Sequence, residues 1–307
     1  MSNTRYWSLM VGLLALALLG AGCGSLTQAP PTTTPLPPTP TPIVEGLVDI
    51  GGRSLSISCA GGGSPTVILE ASEMDQSAVW SGVRDRVSGF TRACYYDRAG
   101  VALSDPRPTT PATAQDVVDD LHALLTAANI GGPYILVGNF MGGMSNRVYA
   151  SQYPEDIVGM VLVEVQHPEM PHRLLAALPA EAATEGHDLY GFRQFVLSVL
   201  DHVPYGPEAL VFETFADQVE ATGTLGSMPL VVLTHDPAES GEVWPPTFRE
   251  RADVEWTKMQ EELATLSSNS ALFIVEGGGN YLILQDKPQA VADAILSVLA
   301  QVRGEQE

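Results

Sequence analysis

The sequence predicts an α/β protein, with a mostly parallel, twisted sheet and helices on both of its faces. Short apolar segments alternate along the chain with longer segments whose apolar residues recur at helical spacing. Several of the short segments are apolar throughout, which is typical of strands buried on both faces of a parallel sheet. The stretch from about 168 to 226 interrupts this alternation with helical patterns such as YGFRQFVLSVL. We interpret it as a helical cap over the carboxyl edge of the sheet.

In the first half of the chain, strand patterns alternate with helical patterns. The strongest helix pattern is at 113–130, where Thr113 can cap the start and Val117, Leu121, Leu124 and Leu125 form one apolar face. Strands are predicted over SLSISCAG, PTVILEAS, TRACYYDRAG and PYILVGN, and helices over SAVWSGVRDRVSGF, TAQDVVDDLHALLTAANI and GGMSNRVYASQY.

The second half continues the alternation on both sides of the cap. Strands are predicted over VGMVLVEV, PLVVLTHD and ALFIVEG, and helices over VEWTKMQEELATL and QAVADAILSVLAQV. Because all these elements follow one α/β rhythm, we expect a single domain over residues 46–307, with the cap inserted at about 168–226.

The composition is that of a globular chain and argues against a nucleic-acid partner. The 307 residues are 45% hydrophobic and 17% charged, and the net charge is −21. Phosphate contacts require clustered lysine and arginine, so we expect no nucleic acid to bind. A chain of this length can bury a substantial core.

Residues 1–23 have the layout of a lipoprotein-type signal peptide. Arg5 precedes the apolar run WSLMVGLLALALLGAG, which ends directly before Cys23. The small residues before Cys23 resemble a bacterial lipobox, in which the cysteine becomes the lipid-bearing N-terminus, although Gly20 stands where such boxes usually carry leucine. We therefore expect an exported protein attached to the cell membrane through lipid on Cys23. A cleaved signal or an uncleaved anchor is the alternative.

Residues 24–45 separate this segment from the domain. They are rich in proline and threonine, which disfavours helix and sheet and favours extended polyproline conformations. We interpret them as a disordered tether that holds the domain away from the membrane.

The segment ILVGNFMGGMSNRVYASQYPE, at 135–155, is predicted to be a strand, a glycine turn and a helix. This is the frame of a nucleophile elbow, G-x-S-x-G. The frame is present as Gly138-Asn139-Phe140-Met141-Gly142, so a phenylalanine stands at the nucleophile position.

Five motifs in order resemble the α/β-hydrolase superfamily, specifically its exported bacterial esterase-like members. They are YYDRAGVALSDP, AQDVVDDLHALL, LVGNFMGG, YPEDIVGMVLVE and GGGNYLILQDKPQAVADAI, and the resemblance extends from about residue 46 to the end. It implies the α/β-hydrolase fold and, in an active member, a serine, an acid and a histidine in that chain order.

The positions implied by the resemblance form a degenerate catalytic site. Phe140 stands at the nucleophile position and Asn280 at the histidine position. The acid position is Glu164, after GMVLV, or Asp236, after PLVVLTH. Neither a phenyl ring nor an amide can act as the nucleophile or the general base that the chemistry requires.

The oxyanion loop is also altered. The family typically has a small glycine-rich turn there, and this chain has Ala71-Ser72-Glu73-Met74-Asp75. Negative charge near a developing oxyanion opposes the chemistry, although the backbone N–H of Met141 remains as a donor. We expect Ser72, Glu73 and Met141 to lie at the pocket.

Three hypotheses follow from these residues. The first is a membrane-tethered pseudo-hydrolase that binds a small apolar ligand or a protein partner in the old pocket. The second is an active hydrolase of an ester-type substrate with a relocated site, for example a pair of Ser72 and His235. The third is a structural envelope protein. Ser145 and His167 are expected to be structural.

We expect no cofactor and no metal. The glycines of VEGGGN lack the Rossmann spacing and the following ribose-binding acid. No cysteine or histidine spacing indicates zinc.

The resemblance also implies a disulfide between Cys59 and Cys94. In the α/β-hydrolase topology the second and fourth strands are neighbours, and SLSISC and RACYYD map to those two strands. The facing and register of the two cysteines are not fixed by the sequence, and two buried free thiols are the alternative. Export would place both residues in an oxidising compartment.

Overall fold

The computed structural model describes residues 44–73, 75–182, 186–239, 244–277 and 283–305. Cys23, residues 24–43 of the predicted tether and Asn280 lie outside these ranges, so the predictions made for them stay predictions. The first strand begins at Val44, so residues 44 and 45, which were predicted to belong to the disordered tether, are part of the domain. None of the described helices is both long enough and apolar enough to cross a membrane.

Eight strands and nine α-helices alternate within the described ranges. The strands are β1 Val44–Asp49, β2 Ser54–Ala60, β3 Thr66–Glu70, β4 Ala93–Tyr96, β5 Tyr134–Asn139, β6 Ile157–Val163, β7 Leu230–His235 and β8 Ser270–Val275. The helices are α1 Ser81–Val87, α2 Ala114–Ala127, α3 Met141–Gln152, α4 Met170–Ala177, α5 His187–Leu200, α6 Phe212–Glu220, α7 Arg249–Ala264, α8 Ile283–Asp286 and α9 Pro288–Arg303.

The strands form one sheet in the order β1-β2-β4-β3-β5-β6-β7-β8. The pairs β1–β2 and β2–β4 are antiparallel, and all pairs from β4 to β8 are parallel. This confirms the predicted, mostly parallel sheet. The carboxyl ends of the parallel strands therefore meet along one edge, which is where sites form in folds of this kind.

Helices cover both faces of the sheet, as predicted. Along β5, Leu136 belongs to the apolar cluster that includes α2 and α3, whereas Ile135 and Val137 belong to the cluster that includes α1 and α9. Successive side chains of a strand point to opposite faces, so a run that is apolar throughout fits a sheet covered on both sides.

The predicted helix at 113–130 forms as α2 with the expected cap. The Asp116 backbone N–H donates to Thr113 Oγ1, and the Thr113 N–H donates in return to the Asp116 carboxylate, at 3.2 and 2.9 Å. This reciprocal arrangement satisfies donors that the first turn of a helix leaves unpaired. The predicted apolar face, which includes Leu121 and Leu124, is buried.

Cys59 and Cys94 form the predicted disulfide. They lie directly opposite each other in the β2–β4 pairing, with their Cα atoms 4.0 Å apart, and both are buried. The strand order that the resemblance implied is thus sufficient to bring the two cysteines together.

Replacing both cysteines by alanine is expected to lower the free energy of unfolding by about 3–4 kcal/mol, because the bridge closes a loop whose ends are 35 residues apart. Urea unfolding of the wild type and of the double variant Cys59→Ala/Cys94→Ala measures this loss. A reductant should shift the wild-type midpoint and leave the variant unchanged. Complete alkylation of both thiols in the non-reduced protein would show that the bridge is absent.

The expected cap contains α4, α5 and α6, which stand between β6 and β7 in the chain. Leu174 of α4, Val196 of α5 and Phe212 of α6 line the same cavity as Phe140, at the carboxyl end of β5. The cap helices therefore cover the sheet edge at which the site was predicted.

Candidate functional site

The turn between β5 and α3 has the geometry of the predicted elbow. Phe140 has φ 48° and ψ −123°, a left-handed conformation that a bulky residue rarely adopts and that costs on the order of 1–3 kcal/mol. The flanking glycines are needed for close approach: a Cβ on Gly138 would lie 2.4 Å from the Gly143 nitrogen, and one on Gly142 would lie 2.5 Å from the Ala71 oxygen. The turn is thus retained without the serine that it positions in an enzyme.

The Phe140 ring occupies the floor of the site. It is 4% exposed and belongs to an apolar cluster with Leu174, Phe248 and Trp256. Its ring centroid lies 6.3 Å from that of Trp256, within the range of favourable aromatic pairs. The ring therefore packs with the cap and α7, and it presents no nucleophilic atom at this position.

The backbone N–H of Met141, which the resemblance implies as an oxyanion donor, faces a carboxylate. The Met141 N–H donates to Glu73 Oε2 at 3.4 Å, and Gln166 Nε2 donates to Glu73 Oε1 at 3.0 Å. Glu73 is buried, and burial raises its pKa above the ordinary value. The sequence predicted Ser72, Glu73 and Met141 at this place, but the carboxylate against the Met141 N–H is visible only in the structure.

Arg98 holds the loop in this shape. Its guanidinium donates to the carbonyl oxygens of Ala71 and Ser72, at 2.6 and 2.8 Å, and forms a buried ion pair with Glu208. Arg98 lies in the motif YYDRAGVALSDP, which the sequence analysis used to indicate the family. The sequence did not predict that Arg98 contacts this loop. A loop anchored by two charge-assisted hydrogen bonds to its backbone is rigidly placed.

The two candidate acids have different environments. Glu164 follows β6 and is completely buried; its carboxylate accepts from His235 Nδ1 at 3.1 Å and from Trp256 Nε1 at 2.9 Å. It also accepts from the His235 backbone N–H. Asp236 is half-buried and accepts from the Ala238 N–H, at 2.9 Å, within its own turn. Glu164 is therefore the acid that points into the protein.

His235 does not pair with Ser72, so the relocated dyad considered from the sequence is wrong. His235 is buried between Glu164 and Asp253, whose Oδ1 lies 3.7 Å from His235 Nε2. The Ser72 hydroxyl instead donates to Asp75 Oδ2 at 2.7 Å. Burial opposes a charge on His235, but the hydrogen bond and charge of Glu164, together with Asp253, outweigh it and raise the pKa of His235.

Ser145 and His167 have structural contacts, as expected. Ser145 is buried inside α3 and donates to Glu70 Oε1 at 2.6 Å. His167 accepts the Glu169 N–H at its Nδ1, and its Nε2 lies 3.4 Å from Glu262. Within the described ranges, the atoms of His167, Glu169 and Glu262 that could bind a metal ion lie within 4.8 Å of one another. Glu262 is already paired with the Arg173 guanidinium at 2.7 Å.

A cavity of about 510 Å³ lies between the elbow and the cap. This volume is within the range of small-molecule sites. Its polar residues include Ser72, Glu73, Asp75 and Gln166, and the remainder of its wall is mainly apolar and aromatic, with Phe140, Phe192, Trp244 and Trp256 among its residues. Met141, which was also predicted at the pocket, is buried and is not among the residues that line the cavity, but its backbone N–H contacts Glu73, which is.

The buried carboxyl of Glu70, at the end of β3, makes stability depend on pH. Burial raises the pKa of Glu70 to about 7, although Arg98 at 3.7 Å opposes the rise. In the unfolded chain the group titrates near its ordinary value, so between pH about 4.5 and 7 the folded state binds more protons than the unfolded state. The contribution of Glu70 to the free energy of unfolding should therefore fall by up to about 3 kcal/mol as pH rises through that window.

Urea unfolding at several pH values between 5 and 8 tests this expectation. Glu70→Gln removes the titration while keeping an oxygen that can accept from Ser145, so its midpoint should vary less with pH than that of the wild type. Equal pH slopes for the two proteins would assign the dependence to other groups.

The chain matches a sequence model described as the alpha/beta hydrolase family over residues 59–294, which is more than half of its length. It therefore belongs to the α/β-hydrolase family, in agreement with the strand order and the elbow. The protein YqjL of Bacillus subtilis is 26% identical over 238 residues, which cover 78% of this chain and 85% of YqjL.

Other relatives match over smaller parts. The Hormonema carpetanum protein named "Probable transporter efuK" is 35% identical over 161 residues, which cover 47% of this chain and 23% of that protein. The chain thus spans only about a quarter of this relative. Among solved structures, a haloalkane dehalogenase DbeA variant of Bradyrhizobium elkanii superposes with a TM-score of 0.60 at 16% identity, covering 85% of this chain and 98% of the other. This likeness concerns the fold alone.

Proposed function

We propose that this chain is an exported, membrane-anchored α/β-hydrolase-fold protein of esterase-like ancestry that has lost serine-hydrolase chemistry and binds a small apolar ligand in the old pocket. One observation carries the proposal: the elbow retains its strained backbone, but the residue at its tip is Phe140, whose ring is buried in the site. A phenyl ring has neither a lone pair nor a proton to lose, so it cannot attack a carbonyl carbon.

Two further features support the loss of chemistry. The Met141 N–H, which would stabilise an oxyanion, faces the Glu73 carboxylate, so a developing negative charge would meet another one. The histidine position is Asn280, outside the described residues, and an amide cannot serve as a general base near neutral pH. Since the three changes lie in separate segments, no single substitution explains them.

The retained cavity supports a binding role over a purely structural one. The cavity of about 510 Å³ has a mainly apolar and aromatic wall and a few polar groups, which is the typical make-up of a small-molecule site. Mass spectrometry of the chain purified from its membrane tests this part of the proposal: a small molecule that co-purifies in stoichiometric amount supports binding, and an empty protein supports the structural reading.

A fluorophosphonate probe tests the loss of catalysis. We expect no specific labelling of the purified full chain, since Ser72, which lines the cavity, and Ser145, in α3, are hydrogen-bonded to carboxylates. An active serine hydrolase added to the same tube is the positive control, and heat-denatured chain defines the background. Labelling that disappears on denaturation would favour an active hydrolase with a relocated nucleophile, and Ser72→Ala and Ser145→Ala would then locate it.

Cys23→Ala is expected to release the protein from the membrane fraction or to leave its signal peptide unprocessed, because the lipid would have no attachment atom. Membrane fractionation and the intact mass of the N-terminus measure both effects. Thr32→Ala, in the tether, is a matched control that should behave as the wild type. Unchanged membrane partitioning of Cys23→Ala with an intact N-terminus would refute the lipoprotein assignment.

A further inference from the structure

Two indole rings of the cavity wall are held from behind by buried carboxylates. Trp244 and Trp256 both line the cavity, and their ring centroids lie 6.2 Å apart. Trp256 Nε1 donates to Glu164 Oε2 at 2.9 Å. Trp244 Nε1 donates to Asp253 Oδ1 at 2.8 Å. Hydrogen bonds to a carboxylate are strong and directional, so the orientation of these two rings depends on where the two carboxylates lie.

His235 lies between these two carboxylates, at the end of β7. Its Nδ1 lies 3.1 Å from Glu164 Oε2, and its backbone N–H donates to the same carboxylate. Its Nε2 lies 3.7 Å from Asp253 Oδ1, which is longer than a hydrogen bond, so the imidazole packs against this second carboxylate without bonding to it. All three side chains are buried, and water cannot replace a contact that is lost there. One side chain thus contacts the supports of both indoles.

The backbone at Glu164 is strained in the same way as the elbow. Glu164 has φ 50°, and Phe140, which follows the neighbouring strand β5, has φ 48°. Both values lie in the left-handed region that residues with a side chain rarely adopt. Such strain persists only where surrounding contacts enforce it, and it is most frequent at functional sites. At Glu164 the enforcing contacts are its hydrogen bonds with His235 and Trp256.

We propose that His235 is a positioning residue of the cavity. It fixes the carboxylates of Glu164 and Asp253, and these carboxylates fix the two indoles that an apolar ligand contacts. His235 is not among the residues that line the cavity, so its effect on ligand affinity is transmitted through Trp244 and Trp256. This inference rests on the proposed function, since it assigns a residue that shapes the wall of the same pocket.

Binding of 2-naphthol, an uncharged and mainly apolar probe, tests the inference. The probe is titrated at pH 7.5 by calorimetry into the full chain in detergent, and titration into detergent alone is subtracted. His235→Ala is expected to bind the probe at least about fivefold more weakly than the wild type, because the indoles lose their fixed orientation. His235→Gln keeps a side-chain N–H donor at this position and should lose less affinity than His235→Ala.

A double-mutant cycle distinguishes positioning from a general loss of stability. Trp244→Phe/Trp256→Phe keeps aromatic rings in the wall but removes the two N–H groups that the carboxylates hold. In this background His235→Ala should change the affinity by about twofold or less, because the rings no longer depend on the carboxylates. Val232→Ala, in the same strand, is the matched control. It truncates a completely buried side chain that does not line the cavity, so it should lower stability and leave the affinity unchanged.

Near-UV circular dichroism gives a second measurement that needs no ligand. His235→Ala should weaken the tryptophan signal of the folded chain, because this signal depends on fixed packing, whereas Val232→Ala should not. If His235→Ala does not fold, His235→Gln and Glu164→Gln take its place in both measurements, and both should bind the probe more weakly than the wild type.

The outcomes separate this inference from the proposed function. Wild-type affinity in His235→Ala, or an equal loss with and without the two indole N–H groups, would overturn the positioning role while the binding role stands. A loss of affinity in Val232→Ala as large as that in His235→Ala would also overturn it. If the wild type does not bind the probe, the result counts against the binding role, and the near-UV signal then tests the positioning of the indoles by itself.

Discussion

Neither Phe140→Ser nor Asn280→His alone is expected to give ester hydrolysis above background, whereas the double variant is expected to show weak turnover of short activated esters. The serine needs a base to accept its proton, and the histidine needs a hydroxyl to activate, so the members of a triad act as a unit. Turnover should remain weak because Glu164, the buried acid, is already bonded to His235.

The structure adds a third change to this series. The Met141 N–H donates its hydrogen bond to the Glu73 carboxylate. Glu73→Gly in the double-variant background should therefore free this donor and raise turnover by about 100-fold, the usual effect of one oxyanion donor. Glu73→Gln is the matched control, since it removes the charge but keeps an oxygen within reach of the N–H. It should give a smaller increase.

Hydrolysis of p-nitrophenyl acetate by the wild type, both single variants, the double variant and the two triple variants measures the whole series. Robust wild-type activity that Phe140→Ser does not affect would mean that the chemistry occurs elsewhere, and the pseudo-hydrolase proposal would then be wrong.

Glu164→Ala is expected to lower the free energy of unfolding by about 3–5 kcal/mol, the usual cost of breaking a buried ion pair. The side chain is completely buried and accepts hydrogen bonds from both His235 and Trp256, so its removal leaves the imidazole of His235 and the indole N–H of Trp256 without this partner. Asp236→Ala is the matched control at the other acid position. It removes one half-buried turn contact and should cost less than about 1 kcal/mol.

Urea unfolding of the two alanine variants at pH 7 compares the two acids directly. Glu164→Gln should lie between the wild type and Glu164→Ala, because the amide keeps the shape but not the charge. Similar losses for Glu164→Ala and Asp236→Ala would show that the buried cluster contributes little, and the assignment of Glu164 as the interior acid would lose its energetic support.

Local patterns in the sequence determined the elements of this fold. The apolar spacing and the Thr113 cap specify α2, the run around Leu136 specifies a strand buried on both faces, and Gly138 and Gly142 specify the elbow around Phe140. Each of these signals lies within a few residues of the structure that it predicts, because helix and strand periodicity and turn conformation are short-range properties. The motif order then indicated the family, and with it the neighbouring positions of β2 and β4.

Only the tertiary structure decided the chemistry at the carboxyl edge of the sheet. The sequence could not choose between Glu164 and Asp236, since both follow a strand and only packing against Trp256 distinguishes them. It also could not show Glu73 against the Met141 N–H or His235 against Glu164. Such contacts join segments far apart in the chain, so their geometry depends on how the strand ends, the cap and α7 pack together, which no local pattern records.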